Sequence, residues 1–188
     1  YYSGMADLND CIYPGGYPGV LKEACGIWVE ETDALTAKQH NTAVTGAELG
    51  FETFSCGYMC DIMHLEGAKC LASYGEDFYA GTPCITENSL GSGRTIYIGS
   101  KLDLRGTDAV LAYAVKQAGV EGILETPSGV EACVRTGKAH SLLFVVNNTT
   151  EEKSFPLTQW QQLVGPAPDD GVLTLQGRQA AVLLKKQS

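Results

Sequence analysis

The chain has 188 residues, 44% of them apolar and 19% charged, with a formal net charge of −9 and a pI near 4.7. This length allows one large domain or two small ones with a real core. The acidic balance argues against nucleic acid or an anionic membrane as partner, since both select basic patches, and no apolar run is long enough to span a bilayer. No basic-then-apolar leader is present, and the opening Tyr1-Tyr2 fits a processed or truncated chain.

Residues 1–26 read as loop, punctuated by Asn9-Asp10, Pro14-Gly15-Gly16 and Pro18-Gly19, with a helical turn or two over Val20–Cys25 ended by Gly26. Ile27–Glu31 has strand composition. Thr32–Gly50 is polar without period and reads as a surface excursion, and Phe51–His64 is ambiguous between strand and short helix. Ala68–Tyr74 between glycines, Thr82–Glu87 with Pro83 near its start, and Arg94–Gly99 read as three strands. The clearest helix follows, with Thr107-Asp108 as N-cap pair, apolar residues Val110, Leu111, Ala114, Val115 and Ala118, and Gly119 as its stop.

Beyond Val120 the helical period disappears. Val130–Arg135 and His140–Val146 predict a hairpin, Lys153–Leu157 a short strand, and Val172–Leu175 with Ala180–Lys185 a second hairpin. The run Leu142–Val146 suggests a central strand buried on both faces. These elements divide the chain at 1–122 and 123–188. The first part is expected to be α/β, a partial flavodoxin- or amidotransferase-like parallel sheet; the second is expected to be a small antiparallel β-sandwich-like domain. A parallel sheet alternates strands with helices, and half of those helices are missing from the first part.

Seven cysteines (11, 25, 56, 60, 70, 84 and 133) are an odd, scattered set, unlike a secreted disulfide framework. They predict a reducing cytoplasm, with Cys70 and Cys84 as small hydrophobes inside strands. The overlapping sequons at Asn147 and Asn148 then read as turn residues.

Several residue sets invite chemistry. Cys56, Cys60 and His64, at i, i+4 and i+8, would share a helix face as metal ligands, but a fourth donor is lacking, so packed thiols are the better expectation. Cys60 with His64 and Glu66 suggests an amidotransferase-style nucleophile, yet no glycine follows Cys60 to frame a strained elbow. Gly91-Ser92-Gly93 precedes a strand and is a turn rather than a phosphate cradle. Glu30, Glu31, Asp33, Glu66, Glu76 and Asp77 supply carboxylates, but no spacing pairs any two for glycoside hydrolysis. Trp28, Tyr58, Tyr79 and Trp160 are stacking candidates that more commonly pack in cores. The expected site inventory is therefore empty: no catalytic residue, no cofactor and no metal.

The wording of the chain carries more. Gly15-Gly16-Tyr17-Pro18-Gly19-Val20-Leu21-Lys22-Glu23, Gly26–Glu31, Asp61-Ile62-Met63-His64-Leu65-Glu66-Gly67-Ala68, Tyr74-Gly75, Asp77-Phe78-Tyr79-Ala80-Gly81 with Pro83, Thr86 with Asn88, Gly91 and Gly93, and Tyr97 with Gly99 resemble, in order, the trimerisation domain of family 42 glycoside hydrolases, the bacterial β-galactosidases. Gly129-Val130-Glu131 and Leu142–Asn147 resemble that family's C-terminal domain more weakly. The resemblance implies a parent enzyme that removes terminal β-galactose through two glutamates on an upstream (β/α)8 barrel that also binds the galactoside. It implies strand–helix units before Tyr1 and homotrimer assembly, with walling of a neighbouring barrel, as the role of this region. The competing expectations are a stand-alone cysteine-dependent amidotransferase-like enzyme and a non-enzymatic binding module.

Overall fold

The computed structural model describes residues 1–186, which divide into two compact units, Tyr1–Val120 and Glu121 onward. The first unit opens with loops and the short helix α1 (Lys22–Cys25), which stops where Gly26 takes a left-handed φ of 62°. Seven strands follow: β1 (Ile27–Ala34), β2 (Asn41–Thr45), β3 (Thr53–Leu65), β4 (Lys69–Tyr74), β5 (Pro83–Leu90), β6 (Gly93–Ile98) and β7 (Ser100–Leu102). Helix α2 (Leu104–Gln117) closes the unit.

Every strand pairing in this sheet is antiparallel. The expected flavodoxin-like parallel sheet is not what forms. Consecutive buried residues in β4 and β5 (Leu71-Ala72 and Cys84–Glu87) arise because these strands bound a closed interior and are also covered outside, where α1 is held against β5 by Asn88 Nδ2 donating to the Glu23 and Ala24 carbonyls at 3.0 and 3.1 Å. The shortage of helices follows from hairpin connections, which need no crossover helix, so strand–helix units upstream are not required to explain it.

β3 organises the sheet. Its start pairs with β2, its later half with β1, and its middle with β7, so that Cys56 faces Asn41 on one side and Leu102 on the other. From β2 the ladder runs through β4 and β5 to β6. At Gly99 the chain changes partner: its N–H donates to Cys84 O on β5 at 2.8 Å, while its carbonyl accepts Asp61 N–H on β3 at 2.8 Å. The pairings thus return to β3 and form a barrel-like ring. A Cβ on residue 99 would lie 2.8 Å from Met63 Cε and 3.2 Å from Cys84 O, so glycine is required there for space. Inside lie Cys56, Cys60, Leu71, Tyr74, Cys84 and Ile85, and Tyr74 donates its hydroxyl to the Asp61 and Gly99 carbonyls at 3.2 and 3.1 Å.

Several boundaries differ from expectation. Thr32–Gly50 contains the end of β1 and all of β2, and the ambiguous stretch at 51–64 is the 13-residue β3. α2 starts earlier than Thr107, capped by Asp103 Oδ1, which accepts Gly106 N–H at 2.7 Å. Of its apolar residues Val110 packs on the barrel, whereas Leu104, Leu111 and Val115 are exposed.

The second unit has a four-stranded sheet of β8 (Val130–Thr136), β9 (His140–Asn147), β11 (Gln161–Val164) and β13 (Ala180–Lys186), and a two-stranded one of β10 (Lys153–Pro156) and β12 (Val172–Leu175). The expected hairpin of the last two strands does not form, because β12 pairs with β10 while β13 pairs with β9 and β11. β9 is central, but it alternates: Leu143, Val145 and Asn147 point inward, while Phe144 and Val146 are exposed. Phe155, Leu157, Leu173, Leu175, Ala181 and Leu183 complete this core.

Candidate functional site

β3 is extended, which separates His64 from the two cysteines that helical spacing would gather with it. The bulge between Gly57 and Cys60 keeps the Cys56 and Cys60 thiols within hydrogen-bond reach of each other, whereas four further residues of strand, about 13 Å, carry His64 away, so the three cannot share a metal at bonds of about 2.0–2.3 Å. Among the described residues no group of three or more His, Cys, Asp or Glu is placed to hold a metal. Cys56 and Cys60 are buried, and Cys60 Sγ lies 3.4 Å from Ser100 Oγ. The hydrogen bond from Cys60 lowers the Cys56 thiol, but the bond to Cys84 and burial outweigh it and leave it pushed up to about 12. The hydrogen bond to Cys56, and then burial, push Cys60 up as well. Protonated, enclosed thiols are poor nucleophiles. His64 is instead half exposed, 2.7 Å from Glu30 Oε2 and stacked on Trp28 at 4.5 Å.

The carboxylates are likewise engaged apart. Glu30 meets His64, Asp33 accepts the Tyr79 hydroxyl at 3.0 Å, and Glu31, Glu66, Glu76 and Asp77 are exposed. Gly91 and Ser92 form the two-residue turn between β5 and β6, where Leu90 pairs with Gly93. Tyr79 is buried edge-on to Tyr74 at 5.0 Å, and Trp160 packs against the second unit's core. Tyr58 is exposed.

The polar centre that the sequence reading missed is Asp61, fully buried on β3. Oδ2 accepts the Tyr97 hydroxyl from β6 at 2.7 Å, and Oδ1 accepts Thr32 Oγ1 from β1 at 2.8 Å and the Tyr17 hydroxyl from the N-terminal loops at 3.1 Å. Tyr17 and Thr32 also touch each other. Burial, followed by the Asp61 charge, raises the Tyr17 and Tyr97 phenols well above the usual tyrosine range, so both remain neutral donors. A carboxylate saturated by three hydroxyls ties loop, β1, β3 and β6 together and has no open side for substrate. A lone Asp between Cys60 and Ile62 in a strand-length apolar run was its one visible trace. A similar polar clamp fixes α2: Glu87 on β5 accepts the Tyr113 hydroxyl at 3.1 Å and Arg94 Nη1 at 3.2 Å, and Arg94 also donates to Gln117 Oε1 at 3.1 Å.

A barrel-like antiparallel unit followed by a small two-sheet β unit, each closed around its own core, is the class of molecule these residues define. Residues 1–121 match the family of β-galactosidase trimerisation domains, and residues 129–185 match that of β-galactosidase C-terminal domains. The chain belongs to the β-galactosidases of glycoside hydrolase family 42. It is 35% identical over 98% of its length to β-galactosidase BgaP of Planococcus sp. (strain L4), of which it covers 28%. With β-galactosidase LacA of Lactobacillus acidophilus the identity is 39% over 83% of the chain and 23% of the relative. The crystal structure of β-galactosidase from Bacillus circulans sp. alkalophilus superposes with a TM-score of 0.88 at 36% identity, over 98% of this chain and 28% of that one. The chain thus spans about a quarter of the length of the relatives it matches.

Proposed function

We propose that this chain is the assembly and C-terminal part of a β-galactosidase that hydrolyses terminal non-reducing β-D-galactose residues. On this reading a separate barrel binds the galactoside and holds the two glutamates of a retaining double displacement, and residues 1–122 assemble the homotrimer. The observation that carries it is the ordered match of two family models, trimerisation domain then C-terminal domain, across nearly the whole chain. The geometry supports it, since the carboxylates of the first unit are held apart or saturated. Burial of Cys56 and Cys60 weighs against the amidotransferase-like alternative. The absence of disulfides among the described cysteines agrees with a cytoplasmic setting, and no described helix is long and apolar enough to cross a membrane.

The test is an assay of the 188-residue chain beside its full-length parent on a chromogenic β-galactoside. The parent should turn the substrate over and the isolated chain should release no chromophore. Turnover by the isolated chain would sink the reading.

A further inference from the structure

One end of the barrel in the first unit presents two exposed aromatic side chains on backbone that is held in place. The first is Tyr58, 62% exposed, at a bulge where the pairing of β3 with β7 slips between Gly57 and Cys60. Its φ is 67°, a left-handed conformation rare for a bulky side chain, and its carbonyl is fixed by Leu35 N–H at 3.0 Å. Bulges of this kind re-aim a side chain out of the regular ladder.

The second is Phe78, 75% exposed at the tip of the loop joining β4 to β5. Asp77 before it has a φ of 69°. The loop is laced shut: Gly81 N–H donates to Tyr74 O at 2.7 Å, Tyr74 N–H to Thr82 O at 2.9 Å, and Asn41 grips both polar groups of the Glu76 backbone at 2.9 and 3.0 Å. Buried Tyr79, next in sequence, anchors it to Asp33.

These two projections flank the segment 35–40. A cleft of about 460 Å³ lies on its Tyr58 side and one of about 240 Å³ on its Asp77 side, and Leu35, Gln39 and His40 line both. Neither ring enters the core of the unit: Phe78 touches it only edge-on at Tyr79, with ring centres 4.9 Å apart, and Tyr58 meets the Tyr1 ring at 6.3 Å. Rigid, solvent-facing Tyr and Phe are what protein interfaces use as anchors. The surrounding charge is of both signs: Lys38 is exposed beside Glu76 and Asp77 on the smaller cleft, Lys101 lines the larger one, and among the described residues none of the four makes an ion pair.

We infer that this barrel end, with Tyr58 and Phe78 as its anchors, is the surface that meets a second copy of the chain. The inference rests on the assembly reading above and gives that reading its location. The occupant is a second copy because the family matched by residues 1–121 is a trimerisation domain. A three-fold ring is closed by head-to-tail contacts, in which two different patches meet. A surface carrying unpaired lysines beside unpaired carboxylates suits that arrangement, since a neighbouring patch of either sign finds a partner on it.

The experiment uses the full-length parent enzyme, with its mass followed by sedimentation velocity from nanomolar to micromolar concentration. Tyr58→Gly keeps the left-handed backbone without strain and removes the ring, and Phe78→Ala truncates an exposed side chain, so both should fold with an unchanged far-UV spectrum. Leu111→Asp on the exposed face of α2 is the comparison. The wild type should be a trimer, the Tyr58→Gly/Phe78→Ala variant should dissociate at concentrations on the order of tenfold higher or more, and Leu111→Asp should remain assembled. A trimer undisturbed by the double variant overturns the location and leaves the assembly reading standing. The same holds if Leu111→Asp dissociates in its place. A monomeric wild type removes the assembly reading itself, and this inference with it.

Discussion

Removing the hydroxyl of Tyr97 isolates one strut of the Asp61 network. The ring is 5% exposed and packed among Ile27, Val29, Met63 and Ala68, so Tyr97→Phe leaves its apolar contacts in place. What is lost is a 2.7 Å hydrogen bond to Asp61 Oδ2, while Thr32 and Tyr17 still serve Oδ1. A hydrogen bond to a charged acceptor contributes about 1.5–3 kcal/mol, and the buried oxygen is left with only the Tyr1 ammonium at 3.9 Å. We expect a loss of about 2 kcal/mol for the first unit, which lowers its urea midpoint by roughly 1 M. Trp28 and Trp160 are the only tryptophans and lie in different units. Fluorescence in a Trp160→Phe background therefore reports the first unit alone. Tyr17→Phe, whose bond is longer and half exposed, should cost less than Tyr97→Phe. A loss for Tyr97→Phe below about 0.5 kcal/mol, the range of an ordinary surface change, would refute the reasoning. A larger loss for Tyr17→Phe would do the same.

Thiol labelling at pH 8 should modify Cys11 and Cys133 quickly and leave Cys56 and Cys60 unreacted until the protein unfolds, as counted by mass spectrometry with and without denaturant. Because the Cys56 thiol is raised from 9.0 to about 12 on folding, its contribution to stability is fully present below about pH 9 and is lost as pH climbs toward 12, which alkaline denaturation of the first unit should show. Gly26→Ala should destabilise the first unit by about 2 kcal/mol or more, measured as a midpoint shift; the residue holds φ 62°, and a Cβ would sit 2.6 Å from Asn88 Cγ and 2.9 Å from Ala68 N. Asn147→Asp should unfold the second unit early while the Trp28 signal stays native, since its amide donates to the Glu151, Leu175 and Gln176 carbonyls at 2.7, 3.2 and 3.0 Å and a carboxylate has nothing to give them.

Local chemistry in the sequence was a good guide to elements and a poor one to their partners. Gly26 after Cys25, the Gly91-Ser92 turn and the hairpin of Val130–Arg135 with His140–Val146 each show in the letters what the backbone does. β2 escaped because five residues, Asn41–Thr45, sit among polar neighbours, and β3 because Gly57 and the bulge at Tyr58 break its alternation. The direction of pairing was illegible for a physical reason: two-sided burial reads the same in a parallel sheet and in a strand that bounds a closed interior. The Asp61 network was hidden because its donors come from 44, 29 and 36 residues away, and no local spacing encodes such a meeting. Cys56 and Cys60 do meet, through a bulge that no spacing announces, while His64 would join them only if β3 were a helix.

The change of partner at Gly99 also bears on how copies of such a molecule associate. A sheet with a bare margin recruits whatever extended peptide it meets, because unpaired N–H and C=O groups recognise backbone and not sequence. By bending from β5 onto β3, the ring in this unit consumes most of those groups internally. If copies of the chain assemble as proposed, their contact falls mainly to side chains, which discriminate. On the assembly reading proposed above, single surface substitutions would strengthen, weaken or redirect that contact without reopening the barrel.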